Sequence, residues 1–154
     1  MCIITFVRYK EFQTNLVNEC DISVFSFMGD TMTLEESRTS CIDMLNSPYV
    51  LDLVETIDFV IKPSETISVV TGDKRRKNVG STSECIILPK GYRNSAMLCH
   101  EVAHTLTLDS MERPPVAFHG QEFCYIYINL LRRFMGDDFA QTLIDEYVFQ
   151  GVEF

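Results

Sequence analysis

The chain contains three histidines, and all of them fall between positions 100 and 119. His100 and His104 stand four apart, with Glu101 between them, in the stretch "HEVAH". On a helix this spacing places both imidazoles on one face, one turn apart, so both rings can approach a single metal ion. Zinc favours nitrogen donors, and a catalytic zinc keeps three protein ligands and an open fourth position. Glu101 projects to the flank of the same face, where its carboxylate can take a proton from a water activated at the metal. The chemistry that such a spacing serves is hydrolysis. A chain of this composition would show the pattern by accident roughly once in three hundred shuffles. A single core histidine bonded to backbone explains neither the pair nor the glutamate between them.

A third ligand must come from further along the chain. The extended pattern H-E-x-x-H-x-x-G-x-x-H fails, because Thr107 stands where glycine is needed and Ser110 where histidine is needed. Asp109, Glu112 and Glu122 are carboxylate candidates. His119 is the stronger one. Fourteen residues separate it from His104, enough for one helix to end and the chain to turn back. Gly120 beside it lets two helices approach closely. The expected site is therefore His100, His104 and His119 as metal ligands, with Glu101 as general base. Glu122 and Asp109 are candidates for orienting the ligand rings. Tyr92, Arg93, Tyr125 and Tyr127 are nearby candidates for stabilising an oxyanion, although each also reads as a packing or surface residue.

These residues need elements to position them. Asn94 or Ser95 can cap a helix running to about Leu108. A loop with Pro114 and Pro115 follows. A second helix starts near Gly120, with Phe123, Ile126, Leu130 and Phe134 at helical spacing. A third runs through "GDDFAQTLIDEYVFQG", from about Asp137 to Gly151. Upstream, "CIITFVRY" and "DISVFSF" read as strands. "TLEESRTSCIDMLNSP" opens with a capping box, Thr33 and Glu36, and places Leu34, Cys41, Ile42 and Leu45 on one side of a helix. Pro48 either stops that helix or starts another after Ser47. "YVLDLVETIDFVIKP" fits helix and strand equally. "ETISVVTGD" and "SECIILP" read as two strands joined around a basic turn. The pattern is one α+β domain spanning 1–154, with a small antiparallel or mixed sheet and helices packed on it. Its N-terminal strands and helix occupy about 1–83, and its metal-binding half about 84–152.

Composition narrows the partners. The formal net charge is −9 and the pI about 4.7, so the chain repels nucleic acid and anionic membranes except at a local basic patch. The one dense basic run, Lys74 to Lys77, is expected at a solvated hairpin tip. No apolar stretch reaches the roughly 18 residues needed to span a bilayer, and the N-terminal apolar run is too short for a secretion signal. A cytoplasmic chain is the resulting expectation. Six cysteines form no C-x-x-C pair, which argues against a zinc ribbon. Several lie in apolar runs and read as reduced core residues.

"HEVAH" followed by "HGQEF" resembles the SprT-like zinc metalloproteases, whose third ligand lies in a His-Gly-x-x-Phe element opening a helix. The resemblance extends to H-E-x-x-H metallohydrolases of actinobacteria and their phages, which share an "I-x-L-P" strand before the active-site helix. Here that strand is "IILP" at 86–89, and "YINLLRRFMGDDFAQTL" and "QGV" resemble their C-terminal region. The likeness covers roughly residues 84–152, with Gln121 in place of the usual proline. It implies a zincin arrangement, with substrate held along a sheet edge. His100, His104 and His119 would bind Zn2+, Glu101 would be catalytic, and Phe123 would be a packing residue. It also suggests a phage-encoded protein acting in the host cytoplasm. The expected function is that of a zinc metallopeptidase acting on a peptide or protein substrate, with "CIILP" as the strand receiving an extended peptide. The alternatives are a zinc hydrolase of a non-peptide amide and a non-enzymatic, zinc-braced interaction module.

Overall fold

The computed structural model describes residues 17, 20, 31–72, 79–107 and 119–154. Helix α1 (Leu34–Leu45) begins at the capping box. Thr33 Oγ1 accepts from the Glu36 N–H at 3.1 Å, and the Glu36 carboxylate accepts from the Thr33 N–H at 2.7 Å. Two donors without helical partners are satisfied this way, an effect of about 1 kcal/mol. Ser37, Cys41, Met44 and Leu45 form the buried stripe. Ile42, expected on that side, lies one step round the helix and is 49% exposed. Pro48 starts a second helix, α2 (Pro48–Thr56), because Ser47 Oγ accepts from the Val50 N–H and proline suits a first turn. The ambiguous stretch after Pro48 is thus helix, then irregular chain from Ile57 to Ile67.

Three short strands follow: β1 (Ser68–Val70), β2 (Gly80–Ser81) and β3 (Cys85–Ile87), in the order β1-β3-β2. The expected hairpin between "ETISVVTGD" and "SECIILP" is corrected here. Their strands β1 and β3 run parallel, with Ser68 opposite Cys85 and Val70 opposite Ile87. The antiparallel partner of β3 is β2, with Gly80 opposite Ile87 and Ser81 opposite Ile86. Thr82 builds this turn: its hydroxyl oxygen accepts from the Cys85 N–H at 3.0 Å, and its N–H donates to the Cys85 carbonyl at 2.7 Å. That tight reversal leaves only the far side of β3 for β1. The sheet is therefore mixed, and β3 is its central strand. The run Lys74–Lys77, the two N-terminal strand candidates and the loop at 109–118 lie outside the described residues.

A 3₁₀ turn (Lys90–Tyr92) leads into α3 (Ser95–Thr107). Asn94 caps α3, its Oδ1 accepting from the Met97 N–H at 2.8 Å. Two brackets hold the helix ends. Arg93 Nε donates to the Leu88 carbonyl at 3.0 Å, and the Ile61 N–H donates to the Leu106 carbonyl at 2.8 Å. Helix α4 (Gln121–Phe134) begins after Gly120, and α5 (Asp137–Gln150) ends at Gly151 in the left-handed region, φ +75°. There the Val152 N–H returns to the Tyr147 carbonyl, a C-terminal closure that favours glycine.

The sheet meets α1 along β1 and α3 along β2, α4 packs on α3, and α5 packs on α4. The described residues thus form an α+β arrangement of five helices and a small mixed sheet around one core. Val17 and Cys20 contribute to it. Cys20, Cys41, Cys99 and Cys124 are buried, as expected of core cysteines, and Cys85 is half-buried. Burial pushes the Cys41 and Cys99 thiols up to about 12, which removes them as nucleophiles at neutral pH. Among the described residues no helix is long and apolar enough to cross a membrane.

Candidate metal centre

Helix α3 contributes His100 and His104 from adjacent turns, and the chain entering α4 contributes His119. Packing of α4 on α3 brings the three rings together. The Nε2 atoms of His104 and His100 are 3.0 Å apart, those of His104 and His119 3.0 Å, and those of His119 and His100 3.3 Å. Among the described residues these three histidines form the one group of potential ligands disposed to hold a metal ion. All three are buried, with 3–6% exposure.

A triangle of imidazole nitrogens at this spacing has no complete solution in protons alone. A neutral ring offers at Nε2 either one N–H or one lone pair. Whatever the tautomers, at least one edge of the triangle then joins two lone pairs or two N–H groups. Adding charge is also unfavourable. Burial, followed by repulsion from His100 and then His119, holds His104 far below the usual histidine range. Burial, with His100 the second cause, lowers His119 to about 3. A cation at the centre would accept all three lone pairs. Zinc–nitrogen bonds of about 2.0–2.1 Å at the tetrahedral angle separate two nitrogens by about 3.3–3.4 Å. The three observed distances fall within about 0.4 Å of that span. At right angles, as in an octahedral ion, the same bonds give about 2.8–3.0 Å. The donor set fits a divalent metal, and its geometry accepts more than one.

The two depressed values fix the sign of a pH effect. An unfolded chain takes up protons on these rings near pH 6.5, whereas the folded chain resists until about 3 at His119 and lower still at His104. Protonation therefore favours the unfolded state across that window. The metal-free protein should hold this stability above about pH 6.5 and lose it progressively as the pH falls towards 3. Melting temperatures of chelator-treated protein at stepped pH measure this. In His119→Ala the decline should be shallower, and an equally steep one would show that other groups govern it.

Glu101 lies on α3 next to His100 and is 3% exposed. Among the carboxylate alternatives, Asp109 and Glu112 lie outside the described residues, and Glu122, half-buried in the first turn of α4, is not part of the ligand group. The four residues considered for an oxyanion separate clearly. Tyr92 and Tyr125 are 44% and 48% exposed, and Tyr125 packs edge-on against Phe59. Arg93 is engaged with the Leu88 carbonyl. Tyr127 is fully buried, its ring edge-on to His100 at 5.1 Å. Phe123 does more than fill space. Its ring stacks on His104 at 4.2 Å and lies edge-on to His119 at 4.8 Å and to His100 at 5.0 Å. The missed signal was the four-residue spacing of Phe123 and Tyr127, which puts both on one side of α4, with His119 two residues before that helix begins.

The fold and the site together define an α+β chain carrying a buried three-histidine group able to hold a metal ion. Comparison with protein-family models, with curated proteins and with solved structures finds no match to this chain.

Proposed function

We propose that the chain is a zinc-dependent hydrolase of the zincin type, SprT-like in its ligand pattern, that cleaves peptide bonds. The observation that carries this reading is the convergence of the three Nε2 atoms around the H-E-x-x-H helix, with Glu101 in the same turn as His100. His100, His104 and His119 would hold the ion. When bound, zinc supplies a Lewis acid that polarises a carbonyl and lowers the pKa of water towards 7. Glu101 accepts the proton released as water attacks, then passes it to the departing nitrogen. An acid in so buried a position keeps that proton from bulk solvent between the two steps.

The sheet edge open to a substrate in this reading differs from the sequence expectation. Cys85–Ile87 is paired on both sides, so "CIILP" has no edge to offer a peptide. Among the described residues the edges belong to β1 and β2, and β2 is the one packed on α3. An extended peptide would add to β2, using backbone hydrogen bonds for affinity.

The direct test is mass-spectrometric profiling of a peptide library after incubation with zinc-loaded protein. The expected result is cleavage at a restricted set of bonds, stopped by a chelator and restored by Zn2+. A zinc-loaded protein that leaves the whole library intact counts against peptidase activity. The burial of the site favours a second reading, since structural metal sites are closed whereas catalytic ones keep an open position. In that reading the ion braces α4 against α3 in an interaction module, and Glu101→Gln leaves the biological effect intact.

A further inference from the structure

Three imidazoles from two segments must hold their nitrogens within about a bond length of a common point before an ion can use them. Each ring turns about two side-chain bonds, so a site assembled only on binding loses that freedom at the moment of binding, at the expense of affinity. The arrangement here has a common support. A single phenyl ring, that of Phe123, touches all three imidazoles: face to face with His104 at 26°, and at 66° and 75° to His100 and His119. Phe123 is fully buried, so the ring has no solvent-facing alternative. Tyr127, one turn later on α4, lies 5.6 Å from Phe123 and 5.1 Å from His100, in contact with both rings.

We infer that Phe123 is a positioning residue for the metal centre: its ring is the template that holds the three imidazoles converged in the absence of metal. The inference rests on the metal-binding reading of the triad and adds a role that ordinary packing does not require. A packing residue sets stability. A template also sets the affinity of the site and the geometry of the ion in it. The stacked contact with His104 matters most, because His104 forms the two shortest edges of the nitrogen triangle. Leucine in place of Phe123 keeps an apolar side chain but has no plane for an imidazole to lie against.

The experiment compares wild type, Phe123→Leu and Leu143→Ala, the last removing a buried side chain on α5. Zn2+ affinity is measured by competition with a chromophoric chelator, and Co2+ titration of metal-free protein records the visible ligand-field spectrum. In Phe123→Leu we expect Zn2+ affinity to weaken about 10–100-fold, the range for residues that orient ligands, and the Co2+ bands to shift or lose intensity. Leu143→Ala should lower the melting temperature and leave both metal readouts at wild-type values. A folded Phe123→Leu protein with wild-type Zn2+ affinity and an unchanged Co2+ spectrum overturns the inference while leaving the metal site standing. Wild-type protein that binds neither ion overturns the metal reading and the inference with it. If Phe123→Leu does not fold, ring-nitrogen NMR of metal-free wild type decides. One sharp set of imidazole signals supports the template, and multiple or exchange-broadened sets overturn it.

Discussion

Glu101→Gln is expected to slow substrate hydrolysis by at least about 10²–10⁴-fold while fold and metal content stay at wild-type levels. The two side chains have nearly the same volume, and a buried site with 3% exposure tolerates a size-neutral change best. The carboxamide cannot accept the proton that attacking water must lose. Glu101→Asp should also be poor, because the shorter side chain withdraws the carboxylate and general-base catalysis tolerates little misplacement. Zinc content is measured alongside activity, so that loss of the ion is not mistaken for loss of the base. Full activity in a zinc-loaded Glu101→Gln protein would sink the proposed mechanism even with the metal site intact.

The second large effect concerns metal retention. His119→Ala is expected to lose stoichiometric metal on purification, because two imidazoles from one helix remain where three converged. The same change, or chelation of wild type, should leave a folded protein that melts at a lower temperature. An ion present at about a thousand times its dissociation constant stabilises the native state by about 4 kcal/mol, and that contribution disappears. The remaining core is expected to hold without it, since Phe123, Ile126, Leu130 and Leu131 of α4 are fully buried, as are Leu98, Val102 and Leu106 of α3. Elemental analysis and circular dichroism read the two effects separately. A His119→Ala protein holding one metal per chain would reassign the third ligand. An unfolded metal-free wild type would recast the ion as structural.

Local chemistry was the legible part of this chain. The Thr33–Glu36 capping box, the Ser47–Pro48 restart and the Asn94 cap each consist of hydrogen bonds spanning three residues, so the sequence carries the first outright and the other two as one of two alternatives, a stop or a restart at Pro48 and a cap at Asn94 or Ser95. The ligand triad was legible for a related reason: a four-residue spacing on a helix is a spatial statement. Strand pairing was not. β1 and β3 have three residues each and β2 has two, too few for a periodic pattern to specify a partner or a direction. Gly80 and Ser81 lie between the two stretches that read as strands and do not themselves read as one. Their pairing with β3 moved the candidate peptide edge from Cys85–Ile87 to β2. The role of Phe123 was half legible. Its spacing marked it as apolar and inward-facing, but two of the three imidazoles it touches come from a different helix, and only packing of α4 on α3 brings them there.

Every residue of α3 from Leu98 to Thr107 is buried. Even the two threonines turn inward, their hydroxyls donating to the carbonyls of Glu101 and Ala103 one turn earlier. A helix at a protein surface has a side along which substitutions accumulate at little cost, and this one has no such side. Val102, Ala103 and Leu106 are fully buried, so a larger side chain at Ala103 or a charge at Val102 or Leu106 is expected to be costly. Among the described helices neutral drift is thereby left to the outer faces of α1, α2, α4 and α5, where Ile42, Leu51, Tyr125, Val148 and Phe149 already stand exposed. As lineages carrying this chain diverge, the stretch from Leu98 to Thr107 should be the last part to change.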